Sequence, residues 1–186
     1  FRRVLFRSPP FVELRTVGEQ GEAPWDGQTM GELQIRGPWV AAGYHELPAE
    51  DDKWTADGWF RTGDIAIMDQ HGYMKIADRL KDLVKSGGEW ISSVDLENAL
   101  VAHPAVQEAA VIGVPHPKWD ERPLAVVVMK AGQSVTADAL REYLAPRFAK
   151  FWLPDAVMFV DAIPKTSTGK MMKATLREQY QKQFLS

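Results

Sequence analysis

The sequence predicts an α+β fold: a β-rich opening region too short to be a complete large domain, then a small domain of a three-stranded sheet with helices. Three observations carry this. Before Asp78, apolar residues alternate in short runs broken by Gly, Pro and Asp; after it, helix caps alternate with apolar strand-like runs. The composition, 45% apolar and 25% charged over 186 residues, is that of a packed protein. The expected divisions are 1–8, 9–77 and 78–186, with a linker near 78–81.

Residues 1–8, three arginines among Phe, Val and Leu ahead of Pro9-Pro10, do not match the rest of the chain. One reading is that Leu5-Phe6-Arg7-Ser8 is translated adaptor DNA, since CTC TTC CGA TCT encodes it; the other, a basic targeting arm, would have to be longer. The stretch contributes no element to the predicted fold. From Val12 to Tyr44, the runs Val12–Arg15 and Glu32–Arg36 read as half-buried antiparallel strands around a loop centred on residues 22–27. Turns at Asp57-Gly58 and His71-Gly72 flank strands expected over Ile65–Met68 and Tyr73–Ile76.

In the second region, Ser92-Ser93-Val94-Asp95 predicts a capped helix with Val94, Leu96, Leu100 and Val101 on or near one face. A strand is expected over Ala109–Val114, ended by Pro115. Leu124–Met129, continuously apolar, predicts a strand covered on both faces. Thr136 caps a second helix carrying Ala139, Leu140, Tyr143 and Leu144 and stopping near Pro146. A strand over Val157–Val160 and a basic-starting helix over Lys170–Gln183 complete the set.

Composition also bounds function. There are no cysteines, which removes disulfides, thiolate metal sites and cysteine nucleophiles. The histidines, His45, His71, His103 and His116, lack the close pairing of common zinc sites, so no metal site is expected here. A net charge of −3 gives no general attraction to nucleic acid. No window approaches the roughly 18 apolar residues of a membrane span, and no signal-peptide pattern is visible, so a cytoplasmic location is the expectation.

Four segments carry chemistry, in this order: Trp59-Phe60-Arg61-Thr62-Gly63-Asp64; Asp78-Arg79-Leu80-Lys81 running on to Lys85-Ser86-Gly87-Gly88-Glu89; Pro117 to Pro123; and Pro164-Lys165-Thr166-Ser167-Thr168-Gly169-Lys170. The Asp64 carboxylate can accept two hydrogen bonds from a vicinal diol, or simply cap a turn. The planar fork of Arg79 suits ribose or phosphate oxygens, although Asp78, Arg79, Lys81, Asp82 and Lys85 also read as a solvated charge run. Ser86-Gly87-Gly88 permits positive φ and close backbone approach, as any glycine-pair turn does. Asp120, Glu121 and Arg122 read as structural or CoA-facing residues, or more simply as solvated charges at a strand approach. Lys170 comes after a flexible, polar Ser/Thr/Gly loop; the loop is not a Walker A motif, because Pro164 and Met171 stand where that motif needs Gly and Ser or Thr.

Taken together, these segments resemble the adenylate-forming, AMP-binding superfamily of acyl-CoA synthetases, luciferases and peptide-synthetase adenylation domains. Gly87-Gly88-Glu89-Trp90 and Trp119 to Leu124 are most similar to the medium- and long-chain fatty-acyl-CoA ligases. The resemblance, from about Pro10 to the end, implies that residues 9–77 are the β-rich remnant of the large AMP-binding domain and 78–186 the mobile C-terminal domain. It implies Asp64, Arg79 and Lys170 as nucleotide-binding residues, Lys170 and Lys85 as catalytic, Lys81 as hinge, and Gly87, Gly88, Glu89 and Trp90 along the CoA or acyl channel.

The substrates implied are a fatty acid, ATP and CoA. Mg2+ ligands, the phosphate-gripping loop and the acyl pocket are expected upstream, as is any oligomer contact, and the isolated chain is expected to be inactive. No nucleic-acid partner and no transmembrane segment are expected. Two rival readings stay open: a non-catalytic ligand- or partner-binding α+β module, and an adenylation domain serving a carrier protein or a luciferase-like oxygenase.

Overall fold

A computed structural model describes residues 7–43 and 52–185; His45 and most of the 1–8 segment lie outside them. Arg7 and Ser8 of that segment are described: the Arg7 guanidinium lies 4.2 Å from the centre of the Tyr73 ring. Two compact units are present, one ending at Lys81 and the other starting at Asp82.

The first unit is an antiparallel sheet of β1 (Glu13–Gly18), β2 (Gly21–Glu22), β3 (Met30–Arg36), β4 (Phe60–Met68) and β5 (Met74–Arg79), in the order β2-β1-β3-β4-β5. Its strands run longer than the alternating patterns predicted, because a strand continues as far as its neighbour can pair with it. Between β4 and β5 the register shifts after Ile65, which lets the consecutive residues Ile65 and Ala66 both be buried where strict alternation would expose one. Gly31 is required by close packing: a Cβ there would lie 2.6 Å from the Val17 nitrogen.

The second unit contains β6 (Val84–Ser86), β7 (Glu89–Ile91), α1 (Ser93–Val101), β8 (Val106–His116), β9 (Asp120–Met129), α2 (Ala137–Leu144), a 3-10 turn (Lys150–Trp152), β10 (Ala156–Phe159) and α3 (Lys173–Tyr180). The α+β class is as predicted, but the sheet has five strands, not three. β6 and β7 form a hairpin whose short strands show no periodicity of their own. β9 pairs antiparallel with β8 along its length, parallel with β10 over Leu124–Val127, and with β6 at Asp120. It is buried from Arg122 to Val128, as its continuous apolar run predicted.

Two apolar clusters cover this sheet, one with Leu96, Leu100, Leu140 and Leu144 from α1 and α2, the other with Leu176 from α3. Both predicted caps form: the Ser92 hydroxyl accepts from the Asp95 N–H, and that of Thr136 from the Ala139 N–H. Two expectations need correction. The buried face of α1 is Ser93, Leu96, Ala99 and Leu100, while Val94 and Val101 are exposed. Pro115 does not end β8, which runs on to His116; at the end of the β8–β9 hairpin the ladder can do without its N–H.

Candidate functional site

The predicted residues fall into two groups, one in each unit. In the first unit Asp64 on β4 faces Arg79 on β5 as a direct cross-strand pair, with Arg79 Nε 2.9 Å from Asp64 Oδ1. Gly63, at φ +70°, sits inside β4 where its pairing with β3 is irregular, just before Asp64. The Thr62 hydroxyl donates to the Leu33 carbonyl at 2.8 Å and accepts the Asp64 N–H at 3.1 Å. The Leu80 N–H donates to the Gly63 carbonyl at 2.9 Å, closing the sheet immediately before Lys81. The carboxylate is half-buried and the guanidinium largely exposed, so together they offer an acceptor beside a forked donor on one surface. Lys81 is an exposed residue in the turn where the two units meet in sequence.

In the second unit Lys85 and Trp90 are partners across the β6–β7 hairpin, and Gly87-Gly88 make its turn, with φ of +60° and +82°. Gly87 also packs beneath Trp119: an added Cβ would lie 3.0 Å from the indole. Gly87 and Glu89, with Trp119, Arg141, Lys150 and Phe151, line an open cavity of about 540 Å³. The Lys85 side chain is exposed, and its backbone N–H donates to Glu121 Oε2 at 3.0 Å. Gly113 leaves room for that carboxylate, which would sit 2.4 Å from a Cβ there.

Of the two readings of Arg122, the structure takes the structural one and not the solvated one. The residue is 7% exposed. Its Nε and Nη2 bind Asp155 in a fork at 2.8 Å each, Nη1 donates to the Ser86 hydroxyl at 2.9 Å and the Phe151 carbonyl at 2.7 Å, and Nη2 to the Leu153 carbonyl at 3.3 Å. Partners from β6, the 3-10 turn and the segment just before β10 had to converge for this, and their distance in sequence hid it.

Lys170 lies at the end of a short loop that is tied rather than loose. Lys165 and Met171 pair across it, the Thr166 N–H donates to the Lys170 carbonyl at 2.8 Å, and the Gly169 N–H to the Thr166 carbonyl at 2.9 Å. The Thr166 hydroxyl accepts the Lys170 N–H at 3.2 Å, and Met172 N–H reaches the Pro164 carbonyl at 2.8 Å. The predicted helix start at Lys170 is therefore this hairpin, and α3 begins at Lys173. Lys170 is exposed, and among the described residues its ammonium has no carboxylate partner. Such a group can meet an anionic ligand without first giving up an ion pair.

The family model described as the AMP-binding enzyme C-terminal domain matches residues 95–170, from the first turn of α1 to Lys170 itself. The chain belongs to the AMP-binding, adenylate-forming superfamily. It is 56% identical over 178 residues to a long-chain-fatty-acid–CoA ligase of Thermus thermophilus, covering 94% of this chain and 33% of that one. It is 53% identical to a 3-methylmercaptopropionyl-CoA ligase of Ruegeria pomeroyi, covering 92% of this chain and 32% of that one. ATP-bound MatB of Rhodopseudomonas palustris superposes with a TM-score of 0.82 at 36% identity, over 96% of this chain and 36% of MatB. The chain thus spans about a third of the length of the curated relatives it matches.

For the Mg2+ the resemblance implies, the residues present do not fit: among the described residues no three of His, Cys, Asp and Glu come together as a ligand set. Among the same residues no helix is long and apolar enough to cross a membrane.

Proposed function

We propose that this chain is the C-terminal part of an ATP-dependent fatty-acyl-CoA ligase. The parent enzyme joins a carboxylate to the α-phosphorus of ATP, releasing pyrophosphate, and then passes the acyl group to the CoA thiol, releasing AMP. The observation that carries this reading is the exposed Lys170 ammonium, without a carboxylate partner among the described residues, at the end of a hydrogen-bonded hairpin.

When carboxylate and ATP react, two anions approach and charge builds on phosphate. A cation held at that point lowers the barrier, and loss of one such preorganised donor costs about 100- to 1000-fold in rate. Lys170 takes this role. The Asp64 carboxylate accepts from the ribose hydroxyls, and Arg79 donates to ribose or phosphate oxygens. Lys81 is the pivot on which residues 82–186 turn between the half-reactions, in the manner of hinges at element ends.

The Gly87-Gly88 turn, with Lys85, Glu89 and Trp90, faces the arm of CoA in the second half-reaction. The cavity beside it, with Arg141 and Lys150 in its lining, suits an anionic cofactor. Positioning of well-held partners supplies up to about 7–11 kcal/mol of catalysis. The 186-residue chain alone is therefore expected to give no carboxylate-dependent ATP–pyrophosphate exchange.

The test is Lys170→Ala in the full-length ligase: pyrophosphate exchange falls about 100- to 1000-fold. Exchange at the parent's rate would defeat the reading in favour of a non-catalytic binding module. An acceptor assay offering CoA or a carrier protein separates the remaining rival.

A further inference from the structure

Three lysines lie within nine residues around the hairpin, and they differ in one respect. Lys165, before it, pairs with Glu108 of β8 at 2.7 Å. Lys173, after it, lies 2.7 Å from Glu97 Oε1 of α1 and donates to the Ser93 hydroxyl at 2.7 Å. Lys170 between them has no carboxylate partner among the described residues.

The two pairs are not equal. The Lys173 and Glu97 side chains are 11% and 16% exposed, those of Lys165 and Glu108 39% and 26%. Glu97 also accepts the Val111 N–H at 2.7 Å, so one carboxylate joins α1, β8 and the first residue of α3. Residue 173 is three positions from Lys170, and Met172 between them is hydrogen-bonded back to Pro164. Where Lys173 is held, the stem of the hairpin is held.

We infer that Lys173 and Glu97 are positioning residues for Lys170, with Lys165 and Glu108 as a weaker second bracket, and that pairing the flanking lysines leaves Lys170 as the ammonium free to meet the reactants. This rests on the reading of Lys170 as the adenylation residue. A largely buried, hydrogen-bonded pair holds its geometry because removing one partner leaves the other charge poorly solvated, whereas an exposed pair contributes little. Displacement of a catalytic group by about 1 Å can cost about 100-fold in rate. The acyl transfer to CoA, assayed from supplied acyl-adenylate, does not need the Lys170 ammonium at the phosphorus and is expected to be spared.

The experiment uses the full-length ligase with Lys173→Ala, Lys173→Arg, Glu97→Gln, Lys165→Ala and Lys170→Ala. It measures pyrophosphate exchange, thioester formation from supplied acyl-adenylate, thermal midpoint, and amide hydrogen exchange at Gly169 and Lys170. Lys173→Ala is expected to lower kcat for pyrophosphate exchange about 10- to 100-fold with KM for ATP little changed, to speed amide exchange in the hairpin, and to spare thioester formation. Lys173→Arg restores most of the rate, and Lys165→Ala loses only a few-fold.

Glu97→Gln keeps the hydrogen-bond acceptor and loses the charge, so it reads the pair should Lys173→Ala fail to fold; it is expected to lose adenylation in the same selective way. Full exchange activity in Lys173→Ala or Glu97→Gln, or an equal loss in both half-reactions, overturns the inference and leaves the role of Lys170 standing. Unimpaired adenylation in Lys170→Ala overturns that role instead, while the hairpin amide exchange still decides whether Lys173 orders the loop.

Discussion

Arg122 and Lys170 are both cations in the second unit, and the structure treats them in opposite ways. The guanidinium of Arg122 is buried and distributed among Asp155, Ser86 and two backbone carbonyls. Lys170 is exposed at the end of a loop whose hydrogen bonds fix its backbone, and among the described residues its ammonium has no carboxylate partner. The same contrast recurs between Lys173 and Lys170, three residues apart. A buried charge whose bonds are all supplied by the fold holds the fold. A partly exposed pair such as Asp64 and Arg79 keeps sites open to a ligand, and a charge without a partner can serve a ligand directly.

The contrast is broken most directly by exchanging the consequences. Lys170→Ala removes a surface side chain, so the stability of the ligase should move by no more than about 0.5 kcal/mol while adenylation collapses. A large drop in melting temperature would show that this lysine is structural after all. Arg122→Ala should do the reverse, costing about 3–5 kcal/mol because Asp155 and two carbonyls lose their donor. Urea unfolding checks it, and a cost under about 1 kcal/mol would show that water replaces the guanidinium there.

A smaller effect separates the two glycines of the β6–β7 turn. Gly87→Ala must accommodate positive φ and a Cβ 3.0 Å from Trp119, whereas a Cβ at Gly88 meets nothing within 4 Å. Gly87→Ala should cost about 1–2 kcal/mol and exceed Gly88→Ala. Equal costs would mean that Trp119 yields freely.

The smallest effect belongs to the exposed pairs of the first unit. The Thr55 hydroxyl and the Arg15 guanidinium pull the Asp57 carboxyl down from 3.8 to about 2. A carboxyl with a lowered folded-state pKa contributes stability above its unfolded value and loses it as pH falls through the folded one. The small stability difference between the parent chain and Asp57→Asn should therefore be present at neutral pH and shrink between about pH 4 and pH 2. A difference constant over that range would show that Asp57 acts through something other than its charge.

Much of the fold is legible in the sequence because it depends on neighbours in the chain. The caps at Ser92 and Thr136, the doubly covered β9 and the turn glycines follow from local chemistry and periodicity. The order of the Asp64, Arg79 and Lys170 segments points to the same superfamily as the family model and the curated relatives. The β6–β7 hairpin is hidden because three-residue strands are too short to show a period. The sequence leaves Arg122 open between a structural and a solvated charge because its partners lie up to 36 residues away. Glu97 carries one signal, a carboxylate one turn from the buried Ser93 and three residues before the buried Leu100, but nothing in the chain announces that Lys173 would meet it.

The sequence by itself determined which side chains are available for chemistry and in what order they come, since residue type and spacing are one-dimensional facts. Only the tertiary structure decided which charges are consumed by partners and which are left free. That choice depends on groups from distant segments arriving within about 3 Å of one another, the range over which a hydrogen-bonded ion pair forms.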